Sequence, residues 1–206
     1  MKTSNYILIA FFSFIIGSIL VLFIAAIGHE NDPYGGAPGY EQKECPLEDF
    51  SVIVVESNLR VHFNSSENNS LSFYLPKGQE VSEKPFRISN DTLFIYPILG
   101  FELHHTLQLS GNRLSTVIAK NNSRVSIRHF NSETLSVDIQ QANFSLDDSD
   151  VRKLNIQGDK AEVWIHSTKI DLLSARLKNE SSLNVHGNVN KIDIEKDETS
   201  RYSLYQ

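Results

Sequence analysis

A spacing of 19 residues governs the C-terminal half of the sequence. Leu135, Leu154, Leu173 and Ile192 are separated by 19 each time, and two positions after them stand Val137, Ile156, Ala175 and Ile194. A second series, Val125, Phe144 and Val163, keeps the interval of 19 and then slips by one residue to Leu183 and Tyr202. Its partners two positions on are Ile127, Leu146, Ile165, Val185 and Leu204. Alternation of period two marks a strand with one buried face, and recurrence at a fixed longer period marks a chain that stacks on itself. Two such segments per cycle predict an all-β, single-stranded parallel β-helix of about 19 residues per coil. The preference of parallel crossovers predicts a right-handed coil.

Individual columns refine this expectation. A small residue, Ser123, Ala142, Ala161, Ser181 or Ser200, stands two positions before each second-series segment, as a tight corner of the coil requires. Val151, Ile170 and Val189 form a third apolar column at spacing 19, predicting a third short wall. The octapeptides starting at Lys120 and Lys178 share Lys, Asn and Ser at matching places, and their offset is three cycles of 19 plus the one-residue slip.

Before the repeat the chain changes character twice. After a short cytoplasmic N-terminus (1–6), residues Ile7 to Ile27 are uncharged and rich in Ile, Leu, Phe and Val. Such a run is about 30 Å long as a helix and matches a bilayer, so residues 7–28 are expected to be a transmembrane anchor. Lys2 precedes it while Glu30, Asp32, Glu41 and Glu44 follow, which places the N-terminus in the cytoplasm and the remainder in the periplasm as a single-pass inner membrane protein. Ala26-Ile27-Gly28 also has the small residues of a cleavage site, so export after signal cleavage is the alternative. Residues 29–46, with Gly, Pro and acidic side chains, are expected as a flexible linker, and 47–206 as the folded domain.

Within that domain Phe50, Val52 and Val54, then Leu59, Val61 and Phe63, then Leu71, Phe73 and Leu75 alternate as strands. A hairpin is expected between Phe86-Arg87-Ile88 and Leu93-Phe94-Ile95, turning at Asn90-Asp91. This N-terminal β head is expected to cover the first coil, since an open apolar coil end needs a cap.

The opening Asp49-Phe50-Ser51-Val52-Ile53-Val54, the segment Leu59-Arg60-Val61-His62-Phe63, and Asn90-Asp91-Thr92-Leu93-Phe94-Ile95, followed by the short repeat, resemble the head GIN domain family of auto-transporter adhesin-like proteins. The resemblance covers about residues 47 to 206 and implies an exported right-handed β-helix of the kind common in Bacteroidetes. It brings no catalytic residues and no established molecular function.

Composition excludes several classes. The formal charge of −6 becomes −7 after the apolar run, because Lys2 is the only charged side chain before His29, and no Lys/Arg cluster suits nucleic acid. One cysteine, Cys45, leaves no internal disulfide and no multi-cysteine metal site. No phosphate loop, nucleophile elbow or zinc helix motif occurs.

If Val163 and Ile165 point inward, Trp164 and His166 point outward. One outward column reads Ser126, Ser145, Trp164, Asn184 and Ser203, and its neighbour Arg128, Asp147, His166, His186 and Tyr205. A lone tryptophan beside two histidines, an acid and a tyrosine on a polar face is the candidate binding surface, with sugar stacking as one use. Two imidazoles and a carboxylate in a straight line suit a metal poorly, and no cofactor or catalytic residue is expected. On the first wall Asp138, Gln157, Arg176 and Glu195 read as a ladder of mixed charge that supports solubility.

These features predict a non-catalytic, envelope-facing adhesion-like module whose partner is an envelope protein or glycan. A polysaccharide-active β-helix enzyme and a self-associating scaffold joined through the C-terminal coil edge are the alternatives.

Overall fold

The strands fall into two long stacks joined at tight corners. The computed structural model describes residues 40–78, 84–97 and 106–205. Among them no helix is long and apolar enough to cross a membrane, and the anchor expected at 7–28 lies outside the described residues. Gln42–Gln206 form one compact unit.

In chain order the strands are β1 (Tyr40–Pro46), β2 (Val52–Val55), β3 (Arg60–Ser65), β4 (Ser70–Pro76), β5 (Phe86–Ser89), β6 (Thr92–Ile95), β7 (Leu107–Gly111) and β8 (Thr116–Lys120). They continue with β9 (Arg124–Arg128), β10 (Asn131–Gln140), β11 (Asn143–Asp147), β12 (Asp150–Asp159), β13 (Glu162–Lys178), β14 (Ser182–Lys196) and β15 (Arg201–Tyr205). Residues 40–46, expected as the end of a linker, are therefore a strand, with Cys45 packed against the core.

The sequential coils follow the predicted register. In the first wall Leu135 pairs with Leu154, Leu154 with Leu173 and Leu173 with Ile192, all in parallel. In the second wall Phe144 pairs with Val163, Val163 with Leu183 and Leu183 with Tyr202. Val151, Ile170 and Val189 are buried neighbours in the third wall. The inward columns are apolar because each strand has one face on the core, and their period of two is the strand's own.

The small-residue column is buried throughout, and its hydroxyls bond the backbone. Ser181 Oγ accepts from Ala161 N at 3.1 Å, and Ser200 Oγ accepts from Ser181 N at 3.2 Å. Beside this column the chain enters the left-handed region without glycine, at Gln141 (φ 50) and Lys160 (φ 51), and on the opposite corner at His129, Asp148 and Ser167. None of Gly111, Gly158 and Gly187 has positive φ. They supply space: a Cβ on Gly187 would lie 2.3 Å from the Thr168 carbonyl oxygen.

The octapeptide likeness has a structural cause. At Asn121-Asn122 and at Asn179-Glu180 two consecutive residues have positive φ, where the neighbouring corners have one. These are the wide corners, and the residue added at the second shifts the second wall to Leu183. The opposite corner removes it again, because Ser167 bulges out and Thr168 faces Gly187 directly. The first wall thus keeps its interval of 19 at Ile192.

The N-terminal region corrects the expectation of a head placed over the first coil. β2 lies in parallel between β6 and β8, and β3 lies in parallel between β7 and β9. Residues 52–65 are a full coil level inserted between two levels that come later in sequence. The cap is antiparallel: β5 covers β6 and β4 covers β7, with β1 beside β4. The predicted hairpin forms, and Asn90 (φ 48) and Asp91 (φ 63) make its turn. Two left-handed residues match the twist of a two-residue hairpin, which favours Asn and Asp there. Phe63 packs edge-on against Phe130 at 5.8 Å, joining the inserted coil to the sequential ones.

Candidate functional site

The second wall puts the predicted residues in one line on its outer face. Arg128, Asp147, His166, His186 and Tyr205 are successive partners across β9, β11, β13, β14 and β15. Parallel strands in register place like positions one strand spacing apart, and planar side chains at that spacing stack. The rings of His166 and His186 lie 4.7 Å apart with planes 3° from parallel, and those of His186 and Tyr205 lie 4.4 Å apart at 11°. At the other end Arg128 Nε stands 3.7 Å from Asp147 Oδ2. Arg128 is exposed and Asp147 half-buried, and a pair at this separation contributes at most about 1 kcal/mol.

Trp164 occupies the next column, between Ser145 and Asn184 as pairing partners, and is 39% exposed. Ser145 Oγ donates to Ser126 Oγ at 2.9 Å, so the floor beside the indole is a hydroxyl ladder. The imidazole and phenol faces are largely taken up by one another, and the ladder presents ring edges outward. Those edges carry N–H, ring nitrogen and O–H groups, which recognise polar partners by hydrogen bonds. The indole, and the far face of Tyr205 at the end of the ladder, are the broad ring surfaces this wall leaves open. Among the described residues no group of three His, Cys, Asp or Glu side chains is placed to hold a metal ion.

The structure adds His62 to this face. β3 aligns His62 with Ser126 and Asn64 with Arg128. Partial burial, reinforced by the Arg128 guanidinium, holds the His62 pKa below that of a free imidazole. The repeat interval does not lead to this position, because Arg60 pairs with Arg124, more than three cycles and less than four further along the chain. The signal that finds it is local: Arg60-Val61-His62-Phe63 repeats the pattern of Arg124-Val125-Ser126-Ile127.

The first wall also carries a feature. An open groove of about 430 Å³ runs over Ser136, Asn155, Gln157, Ser174, Asp193 and Glu195, with Arg176 Nε bonded to Glu195 Oε2 at 3.1 Å. Toward the capped end the same outward column turns apolar, through Ile118, Val54 and Phe94, and the Arg87 guanidinium lies 5.0 Å from the Phe94 ring centre. The ladder of mixed charge is confined to the sequential coils.

No protein-family model matches the chain, and no curated protein matches it. Solved structures share its fold. A "putative lipid binding protein" of Parabacteroides distasonis is similar with 14% identity and a TM-score of 0.59, over 82% of this chain and 75% of that one. A "putative adhesin" of Bacteroides fragilis is similar with 12% identity and a TM-score of 0.52, over 81% of this chain and 97% of that one. At such identities the likeness is one of fold.

Proposed function

We propose that the chain is a membrane-anchored β-helix of the head GIN kind, facing the periplasm, that acts as a non-catalytic, adhesion-like interaction module. The stacked His166, His186 and Tyr205 rings beside Trp164 carry this reading. A rigid ladder of ring edges next to one broad indole suits recognition, since its side chains are held by their neighbours before a partner arrives. The partner class is an envelope protein or glycan with polar groups for the ring edges and an apolar or sugar face for the indole. The adhesin and lipid-binding names given to proteins of this fold are compatible with a binding role.

Crosslinking pull-down from intact envelopes tests the reading, with Trp164→Ala as the comparison. Recovery of the partner should fall at least about tenfold, the loss of a single central aromatic anchor. Equal recovery from both forms removes this face from consideration. Washing membranes at high pH tests the anchor, which predicts that the protein stays in the pellet. The groove on the first wall, with the Asp193 and Glu195 carboxylates two positions apart on one strand, favours a polysaccharide-active enzyme as the second reading. New reducing ends after incubation with envelope polysaccharides would support it over the first.

A further inference from the structure

The two ends of the solenoid differ. At one end β5, β4 and β1 cover the last parallel level with antiparallel strands. β5 is short and follows Pro85, features that blunt an edge. At the other end, among the described residues, β15 pairs with β14 alone, and Lys191–Lys196 of β14 pair with β13 alone.

The core columns open at that level. Val163 and Leu183 are fully buried, while their successor Tyr202 is 47% exposed. Ile192, Ile194 and Leu204 are half-buried where their predecessors Leu173, Ala175 and Val185 are buried. Tyr205 ends the ring ladder with one face stacked on His186, and is 58% exposed.

We propose that this end face binds a second copy of the same chain, so that two solenoids meet end to end about a twofold axis. The two edge strands are self-complementary when each runs antiparallel to its copy. Centred on Ser203, the second wall sets Tyr202 against Leu204 on the inward side and Arg201 against Tyr205 on the outward side. The guanidinium then continues the ring ladder on the open face of Tyr205. Centred on Asp193, the first wall sets Ile192 against Ile194 inward and Lys191 against Glu195 outward. Both registers match inward with inward positions, so the two cores become continuous. The one like-charged contact is Asp193 with its own copy, which weakens the pair. Because the opposite end is capped by antiparallel strands, the contact closes at two chains.

Disulfide trapping tests this on the full chain with Cys45→Ser. Residues directly opposite in an antiparallel pair have Cβ atoms about 4.5–5.5 Å apart, near enough for a disulfide with slight adjustment. Ser203→Cys should give a dimer on a non-reducing gel after mild oxidation of the membranes. Ser145→Cys, on the same wall but inside the solenoid, should stay monomeric. Arg201→Glu added to Ser203→Cys should cut the trapped dimer at least about fivefold, and Asp193→Asn should raise it. Light scattering on the detergent-solubilised chain with native Ser203 should give the mass of two chains. A monomeric mass, a series beyond two, or equal trapping at positions 145 and 203 overturns the proposal.

Discussion

The coils after Asn131 and those before Phe130 contain similar side chains in similar walls, yet they are assembled by different rules. From β10 onward each coil rests on the one that precedes it in sequence, a single cycle of the repeat away. The inserted coil instead finds its partners just over two cycles ahead on one side (Val52 with Thr92) and more than three ahead on the other (Val52 with Thr116). The sequential part therefore approximates a one-dimensional stack whose levels depend on their neighbours. The interleaved part requires three distant segments at once, and its loop-closure entropy is recovered only when all three are in place.

The largest expected effect lies at the junction. Phe63→Ala removes a fully buried ring that joins the inserted coil to Phe130, and should cost about 3–5 kcal/mol by urea denaturation. Phe144→Ala, equally buried in a sequential coil, should cost a similar amount but deprotect only nearby levels in hydrogen exchange. Uniform loss of protection in both variants would break the distinction between the two regions.

Next comes the corner that restores the register. Gly187→Ala drives a Cβ into the Thr168 backbone, and should cost about 2–3 kcal/mol with the largest exchange changes in β14 and β15. A thermal melt unchanged by this substitution would mean that the bulge at Ser167 is adaptable.

Smaller effects separate the corner hydroxyls. Ser181→Ala leaves the buried Ala161 amide without its acceptor and should cost about 1–3 kcal/mol. Ser123→Ala removes a bond to the Val55 carbonyl oxygen of the inserted coil, at 3.2 Å, and should cost about 1 kcal/mol. The reverse order would show that the interleaved contact matters more than the sequential one.

Acid should distinguish the regions with the least force. The His62 pKa is lowered by folding, so its neutral form is favoured in the native state, and stability is lost as pH falls through about 6.5 and below. Asp197 accepts bonds from the backbone amides of Asn179, Thr199 and Ser200, which hold its carboxyl well below the usual range. Its contribution is present above about pH 4 and is lost as pH falls below that. Melts at about pH 7.5, 5.5 and 3 should show two steps, with His62→Gln flattening the upper one and Asp197→Asn the lower.

Sequence reasoning reached the sequential coils because their pairing is local: Leu135, Leu154, Leu173 and Ile192 state the register directly. Even the slip between Val163 and Leu183 was visible, although its two compensating corners at Glu180 and Gly187 needed φ angles and spacing. The column from Arg128 to Tyr205 was also legible, because inside and outside alternate along each strand. The ring stacking was not, since rotamers decide which part of a ring faces outward. His62 was hidden for a different reason. Hydrophobic alternation in β2 and β3 identifies strands but says nothing about which distant strands accept them.

The inserted coil also sets a timetable for synthesis. β2 and β3 leave the ribosome before either of their neighbours, and their pairing is complete only once Arg128 has followed. At about 5–20 residues per second, the stretch from Val52 to Arg128 takes roughly 4–15 s to make. β2 gains its first neighbour only when β6 has followed, and β3 only when β7 has. In its first part such a chain carries apolar strands that wait for distant partners, whereas its final coils each find their neighbour already made.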